Sequence, residues 1–462
     1  MDYFLVIMNE ISEMEKKCVH IVGGGLAGVE AAWQCLKRGS LVVMHEMRPG
    51  KKSEAHRTGD LAELICSNSL KSENPDSAHG LLKFEMKMLD SLVIVAAELS
   101  RVPAGKALAV DRKMFSAIIK EKLLAFPKFS LVEEEVRKIP SEEEIERSGD
   151  VWILATGPLT SEGLEDELKR LCGGEKKLFF YDAIAPTIQG ESIDTSKVFW
   201  GNRYEGSLTG DYLNIPLSKN DYYKFVDEVE SSDKIELHDF EEPKYFESCL
   251  PIEVMIERGR ETLRFGPMKP QGLVDPNTGL KPYANIQLRK ENRDGTIFSM
   301  VGFQTKMKWT EQMRIFKKLP GLENAEFVRF GSIHRNTFLH SPSVLNRDLS
   351  FRSSPSVFLA GQITGVEGYV ESSATGLLAG LSVVSKLEKK SYIPPPGTTM
   401  MGALLEHITS GFSRNFQPMN ANLGILTQEF RGMSVKTSEK RRWQCNNARD
   451  EMLKYKQSFW VE

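Results

Sequence analysis

The sequence predicts an α/β protein, a doubly wound parallel-sheet domain with an α+β domain inserted into it, and three observations carry that prediction. A short β-branched strand, Val19–Val22, runs into the glycine loop Gly23-Gly24-Gly25-Leu26-Ala27-Gly28 and then into a helical pattern. Two later apolar strands, Val151–Ala155 and Val357–Ala360, also end in glycine, at Gly157 and Gly361. Between them, from about residue 185 to about residue 322, aromatic and β-prone segments alternate with Gly/Pro turns, a texture unlike the flanking α/β pattern.

Taken in order, the first 16 residues read as a loose extension. The apolar run Phe4–Met8 is too short for a membrane span of about 20 residues and lacks the basic flank of a secretory leader. Val29–Arg38 reads as a helix with Ala31, Ala32 and Leu36 inward and Gly39 as its stop. Leu41–Met44 is a second strand with Glu46 just past its end, which completes a βαβ opening. A polar stretch from His56 to Ser77 follows, then a helical pattern over Leu81–Leu92. Glu133–Glu135 and Glu142–Glu144 read as solvated acidic faces. Thr375–Gly380 opens a small-residue helix, and Pro394-Pro395-Pro396 is a stiff linker. The expected organisation is 17–185 and 326–440 as the two parts of the nucleotide domain, 186–325 as the insertion, and 441–462 as a tail, with Lys440-Arg441-Arg442 on a solvated helix face.

Bulk composition narrows the function classes. The 462 residues exceed one ordinary domain, and 41% hydrophobic with 27% charged residues exclude a disordered or fibrous chain. Lys+Arg of 60 against Asp+Glu of 63 gives a formal charge of −3, which excludes a wholesale polycation but not a local basic groove. The 6 cysteines, at 18, 35, 66, 172, 249 and 445, make no CxxC pair. That argues against a zinc ribbon, a thioredoxin-like centre or a disulfide framework, so no metal is expected and a reducing cytoplasm is.

Glycine at 23, 25 and 28 permits a tight turn and lets backbone N–H groups approach a pyrophosphate at the helix N-terminus. A carboxylate at Glu46 suits ribose hydroxyls and repels a 2′-phosphate, which favours FAD or NAD over NADP at this site. The strand ends Thr156-Gly157 and Gly361-Gln362 favour FAD, because a far C-terminal segment that completes an N-terminal site is typical of an FAD-binding doubly wound, Rossmann-like domain. Gln362 stands where that late motif more often carries an acid. No second glycine triplet and no close redox cysteine pair is present, so a pyridine-nucleotide disulfide reductase is excluded.

Cys66 and Cys249 lie in polar, carboxylate-bearing stretches, whereas Cys18 and Cys35 fall on core faces and Cys172 and Cys445 look peripheral. Arg258, Arg260, Arg264 and Lys269 follow Cys249 and are candidates to favour its thiolate. With Arg289, Lys290, His334 and Arg335 they are also candidates for a cationic surface that positions a phosphate backbone. Each set has a plainer reading, as buried small hydrophobes or as ordinary ion pairs. Trp309 and Tyr369 are candidate ring-stacking residues, with core packing as the alternative.

These motifs converge on one resemblance. The chain resembles the folate- and FAD-dependent tRNA (uracil-5-)-methyltransferases, relatives of the glucose-inhibited division proteins. The matching stretches include Gly23–Gly28, Glu46-Met-Arg48-Pro49, Glu63–Leu70, Val102-Pro-Ala-Gly105, Ala109–Arg112, Ala155–Thr160, Phe246–Met255, Leu263–Pro270, Val301–Thr305, His334–Phe338, Gly361–Glu371 and Phe416–Asn422. The likeness runs from about residue 18 to about residue 425.

The resemblance implies FAD as cofactor, with NAD(P)H and 5,10-methylenetetrahydrofolate as co-substrates and the T-loop uridine of tRNA as the acceptor. It implies a cysteine that adds to uracil C6, because C5 is otherwise a poor nucleophile, and a second group that removes the C5 proton. By motif match Cys249 corresponds to the nucleophile and Cys66 to its partner in proton transfer, roles that are exchangeable. Gly23, Gly24, Gly25, Leu26, Ala27, Gly28, Glu46, Arg48, Thr156, Gly157, Gly361, Gln362 and Gly368 then fall to the cofactor. Trp309 and Tyr369 fall to flavin or folate contact. One departure is Ile215, where the family often carries Cys. The same chemistry on ribosomal RNA, a plain flavin oxidoreductase and a non-catalytic tRNA-binding flavoprotein are the competing readings.

Overall fold

The computed structural model describes residues 17–53, 55–173, 178–203, 210–235, 250–410, 416–427 and 436–460. Its first layer is a six-stranded sheet in the order Ser350–Phe351, Ser354–Leu359, Val151–Leu154, Cys18–Val22, Leu41–His45, Phe129–Val132. All neighbours pair in parallel except the first two, which are antiparallel. Apolar β-branched runs such as Val19 to Val22 suit strands covered on both faces. The chain leaves Cys18–Val22 toward Leu41–His45 on one side and later returns to Val151–Leu154 on the other. The strand order therefore reverses beside the C-terminal end of Cys18–Val22, where open α/β sheets bind ligands.

Helix Leu26–Lys37 follows the glycine loop and packs along a long helix, Tyr369–Leu387. Glycine in a helix interior costs about 1 kcal/mol relative to Ala, so Gly376 and Gly380 need a reason to be there. It is close approach. A Cβ on Gly376 would sit 2.1 Å from the carbonyl oxygen of Ala27, and one on Gly380 would sit 2.8 Å from that of Ala31. The late helix begins at Tyr369, not near Thr375 as the small-residue run suggests, so these glycines mark a packing face.

A second lobe is built on a six-stranded sheet in the order Phe199–Gly201, Tyr212–Leu217, Ala284–Lys290, Ile297–Met300, Thr187–Gln189, Phe327–Arg329. It has its own core, which includes Ile188, Ile215, Tyr222, Phe303 and Phe316. The strand pair Leu178–Ile184 and Ser332–Phe338 lies just before the first strand of this lobe and just after the last, and the two run antiparallel as the covalent link to the first lobe.

Three expectations are corrected. The pattern over Leu81–Leu92 is two helices, Ala78–Met88 and Leu92–Leu99, broken at Asp90 (φ 58°) and restarted by the Ser91 hydroxyl, which accepts the Ile94 N–H. The region expected as a tail from residue 441 belongs to helix Thr437–Trp460, which buries Cys445, Ala448, Met452 and Tyr455 in the first core. Lys440, Arg441 and Arg442 are exposed on it. Cys172 and Cys445, expected at the periphery, are both buried.

Replacing Gly376 by Val tests the helix contact. The new side chain meets backbone rather than a flexible side chain, so a loss of about 3 kcal/mol or more is expected in urea unfolding. An unchanged midpoint would show that the two helices can separate without penalty.

Candidate active site

The first cavity lies at the strand-order reversal. Gly23, Gly25, Leu26, Ala27, Glu46, Arg48, Thr156, Gly157, Gly361, Gln362 and Tyr369 line it, together with His45, His56, Glu63, Glu134, Glu135 and the strip Pro158–Ser161. Gly28 permits the loop to close, since a Cβ there would lie 1.9 Å from the Gly23 carbonyl oxygen, and Gly23 itself holds φ 105°. A Cβ on Gly25 would meet open space. Among the described residues no side chain caps helix Leu26–Lys37, so its first N–H groups face this space. An uncapped helix start, an open glycine and a neighbouring acid fit the pyrophosphate and ribose of a dinucleotide.

Glu46 does more than line the wall. Its Oε2 accepts the Gly24 N–H at 2.7 Å and Arg48 Nη2 at 3.0 Å, and its Oε1 accepts the Arg48 N–H at 3.0 Å and Nε at 2.9 Å. A carboxylate has about four acceptor positions, so these donors fill them, and a ribose hydroxyl has to displace one. Burial pushes the Glu46 carboxyl up. The hydrogen bonds and charge of Arg48 outweigh it and hold the group below the usual carboxylate range. Arg48 Nη1 continues to Glu63 Oε2 at 3.1 Å, and Glu63 accepts the N–H groups of Arg57 and Thr58. This carboxylate–guanidinium–carboxylate chain ties the glycine loop to the stretch that leads to Cys66.

A second cavity opens between the lobes. Cys66, Ser67, Lys71, Gln362, Gly368, Tyr369 and Glu371 line it from the first lobe, and Arg289, Ser299, Met300, Gly302 and Gln304 line it from the second. Gln362 and Tyr369 belong to both cavities. The Tyr369 hydroxyl accepts the backbone N–H of Cys66 at 2.7 Å and of Ser67 at 3.1 Å. Burial, with the Cys66 sulfur close by, pushes that hydroxyl well above its ordinary range, so it keeps its proton.

Arginines hold the cysteine loop from several directions. Arg112 donates to the Leu64 carbonyl and pairs with Glu291. Arg329 Nη1 donates to the Ile65 carbonyl at 2.6 Å. Arg289 donates to Ser67 Oγ and to Asn68 Oδ1, each at 2.8 Å. Leu64, Ile65, Ser67 and Asn68 are thus fixed, while the Cys66 sulfur lies 4.0 Å from the Ala183 carbonyl oxygen. Burial pushes Cys35 up to about 12 and, with the charge of Asp150, Cys18 up to about 11, so both remain protonated packing residues.

The structure sorts the sequence-derived candidates. Cys66 and Tyr369 meet, Gln362 and Gly368 join them, and Gly24 and Gly28 support the loop from behind. Cys249 lies outside the described residues. Trp309 does not reach either cavity: it is 58% exposed and stacks on Phe330 at 6.0 Å between ring centroids. Three members of the expected cationic surface are engaged within the fold, and the side chains of His334 and Arg335 lie outside the described ones. Arg260 pairs with Asp227 and Glu230, Arg264 pairs with Glu261 and covers the Tyr283 ring, and Arg289 is buried against the cysteine loop. Glu134 and Glu135, read as a solvated face, line the first cavity, with Glu134 on His45 at 2.9 Å and Glu135 on Lys51 at 2.7 Å. Sequence reasoning missed Glu63, Arg112, Lys71 and Glu371 as site residues. All but Lys71 sit inside the matched motifs, and motif membership alone was the available signal.

Fold and site together define a class: an α/β dinucleotide-binding protein whose nucleotide cleft opens onto a cysteine-bearing cavity between two lobes. A family model described as glucose inhibited division protein A matches residues 18–391. The chain is 53% identical over 409 residues to the methylenetetrahydrofolate--tRNA-(uracil-5-)-methyltransferase TrmFO of Syntrophus aciditrophicus, covering 88% of this chain and 91% of that one. It is 51% identical over 411 residues to the protein of the same name from Aquifex aeolicus, covering 89% and 90%. Its fold resembles that of Aquifex aeolicus GidA, with a TM-score of 0.68 at 16% identity over 96% of this chain and 74% of that one. The chain belongs to the glucose inhibited division protein A family, and within it to the TrmFO group.

Two measurements test the site's internal logic. A carboxyl held low in the fold contributes stability above its unfolded pKa of about 4.3, and that contribution is lost as pH falls through its folded value. Glu46→Gln is therefore expected to lower stability by about 3 kcal/mol near pH 7 and to approach the parent in acid, read from urea midpoints across pH. A constant difference at every pH would refute the assignment. Tyr369→Phe removes the acceptor of two N–H groups, at a cost of about 1–3 kcal/mol, and should speed amide exchange at Cys66 and Ser67. Unaltered exchange there would mean that the arginines alone hold the loop.

Proposed function

We propose that this chain methylates C5 of a T-loop uridine in tRNA, with methylenetetrahydrofolate as carbon donor and FAD reduced by NAD(P)H. The observation that carries the reading is the shared wall: Gln362 and Tyr369 face both the dinucleotide cleft and the cavity that holds Cys66. The high-identity relatives named for this activity support it. FAD, when bound, supplies redox chemistry and one-carbon transfer at that wall.

The chain's own residues divide the remaining work. The glycine loop and the start of helix Leu26–Lys37 bind the pyrophosphate, and Glu46 with Arg48 fixes the loop. Cys249 is the nucleophile that adds through sulfur to uracil C6, which places the electron pair on C5 for attack on the carbon unit. Cys66 takes the proton that C5 then sheds, the sulfur–C6 bond and the bond from the carbon unit to its carrier break, and two electrons that originate from NAD(P)H reduce the transferred unit to the methyl group. Cys249 takes the nucleophile's role by motif match, in the stretch Phe246–Met255.

The test uses FAD-loaded full-length protein, an unmodified tRNA transcript, NAD(P)H and carbon-labelled methylenetetrahydrofolate. Labelled 5-methyluridine is expected, with loss of at least 100-fold in Cys249→Ala and in Cys66→Ala while both retain flavin. Label entering from S-adenosylmethionine instead, or a Cys249→Ala protein of full activity, would sink the proposal.

A further inference from the structure

One exposed ring takes no part in the chemistry proposed above. Phe265 ends the short helix Thr262–Phe265 and is 74% exposed, the most exposed large apolar side chain among the described residues. A lone exposed apolar residue needs no explanation, but this ring is not alone. The Arg264 guanidinium lies over it, 6.0 Å from its centroid, and over Tyr283 at 4.0 Å. The Tyr223 ring stands 6.3 Å from that of Tyr283, with Arg260 over it at 5.6 Å. Arg264 is fixed there: its Nε donates to the Tyr283 carbonyl oxygen at 2.8 Å and its Nη1 to Glu261 Oε2 at 3.1 Å. The hydroxyls of Tyr223 and Tyr283 donate to the same carboxylate. Cations and rings thus form a braced series, and its last member keeps an open face. The series also stands beside the lobe cavity. A Cβ on Gly302, a wall residue of that cavity, would lie 2.8 Å from the Cβ of Pro267, two positions beyond Phe265.

We propose that Phe265 is a stacking platform for an unpaired base of the substrate RNA, a neighbour of the target uridine and not the target itself. The assignment rests on the function proposed above and deepens it by naming an RNA contact outside the catalytic cavity. Every base has a π-face, and aromatic rings and guanidinium planes are the groups on which proteins stack unpaired bases. The target has to enter the cavity that holds Cys66, so a ring on the flank of that cavity is left to another base of the same loop. The neighbours of Phe265 are a guanidinium, a carboxylate and two phenols, and Lys281, two positions before Tyr283, is exposed. That setting suits a base beside its phosphate better than the charge-depleted core of a protein interface.

Binding of an unmodified tRNA transcript to FAD-loaded full-length protein is measured across salt concentrations for the parent, Phe265→Leu and Phe265→Trp. Phe265→Leu is expected to weaken binding about 10-fold with an unchanged salt slope, because a ring and no charge is removed. Phe265→Trp is expected to restore affinity to within about 2-fold, and flavin content is expected to be the same in all three. Abasic sites placed one at a time around the target uridine then locate the stacked base. One of them is expected to cost the parent about 10-fold and Phe265→Leu less than about 2-fold. Parent-like tRNA affinity in Phe265→Leu, failure of Phe265→Trp to restore it, or additive losses at every abasic position overturns the assignment. A Phe265→Leu protein that keeps tRNA affinity but loses self-association overturns it in favour of a protein contact. A parent protein that binds no tRNA overturns the proposed function beneath it.

Discussion

The loop around Cys66 is held by guanidinium groups that come from elsewhere in the chain, and the rest of the site depends on that grip. Arg112 follows the strand Ala107–Val110 of the first lobe, whereas Arg289 and Arg329 lie on strands of the second. Each donates to a backbone carbonyl or a polar side chain within Leu64–Asn68. Charge-assisted hydrogen bonds of this kind are roughly twice as strong as neutral ones, but they require the donor to be in place. The loop therefore has its working shape only when both lobes are folded and docked. Burying these cations carries a desolvation cost, and Glu291 offsets part of it: burial works against the charge on each partner, yet the pair keeps the Glu291 carboxyl low and Arg112 charged.

The nucleotide loop has a comparable dependence on distant sequence. Helix Leu26–Lys37 can sit close to helix Tyr369–Leu387 only because Gly376 and Gly380 leave room for the backbone of Ala27 and Ala31. That contact fixes the helix whose start faces the first cavity, and the same late helix begins at Tyr369, the residue that anchors Cys66. One element thus sets both the pyrophosphate end and the cysteine end. The sulfur of Cys35 lies 3.7 Å from the Gly380 carbonyl within this interface, a place for a small packing thiol and not for a reactive one.

The parts of this arrangement legible in the sequence are those written in local pattern. The strand, glycine triplet, helix and acid of residues 19–46 are contiguous, and their spacing is dictated by one βαβ unit. Gly157 and Gly361 could be placed because strand ends announce themselves by composition. What could not be read is anything that depends on which distant residue faces which. Arg289 looked like part of a basic surface because its neighbours in sequence are basic, yet its strand directs it inward to Ser67 and Asn68. Glu134 and Glu135 looked solvated because acidic runs usually are, yet they follow a strand of the central sheet and so end at the nucleotide cavity. Trp309 carried an aromatic signal that sequence could not separate from simple stacking on Phe330. The break at Asp90 was hidden because two short helices with one apolar face give the same periodicity as a single longer one.

Two cavities that share two residues are coupled only so far as a ligand in one alters what the other offers. Here the physical link is specific. Tyr369 lines both cavities and presents its hydroxyl oxygen to the backbone N–H groups of Cys66 and Ser67. If Tyr369 turns, the N–H groups of Cys66 and Ser67 lose their acceptor in a partly buried setting, which opposes the movement. The phenol therefore acts as a stop rather than a hinge.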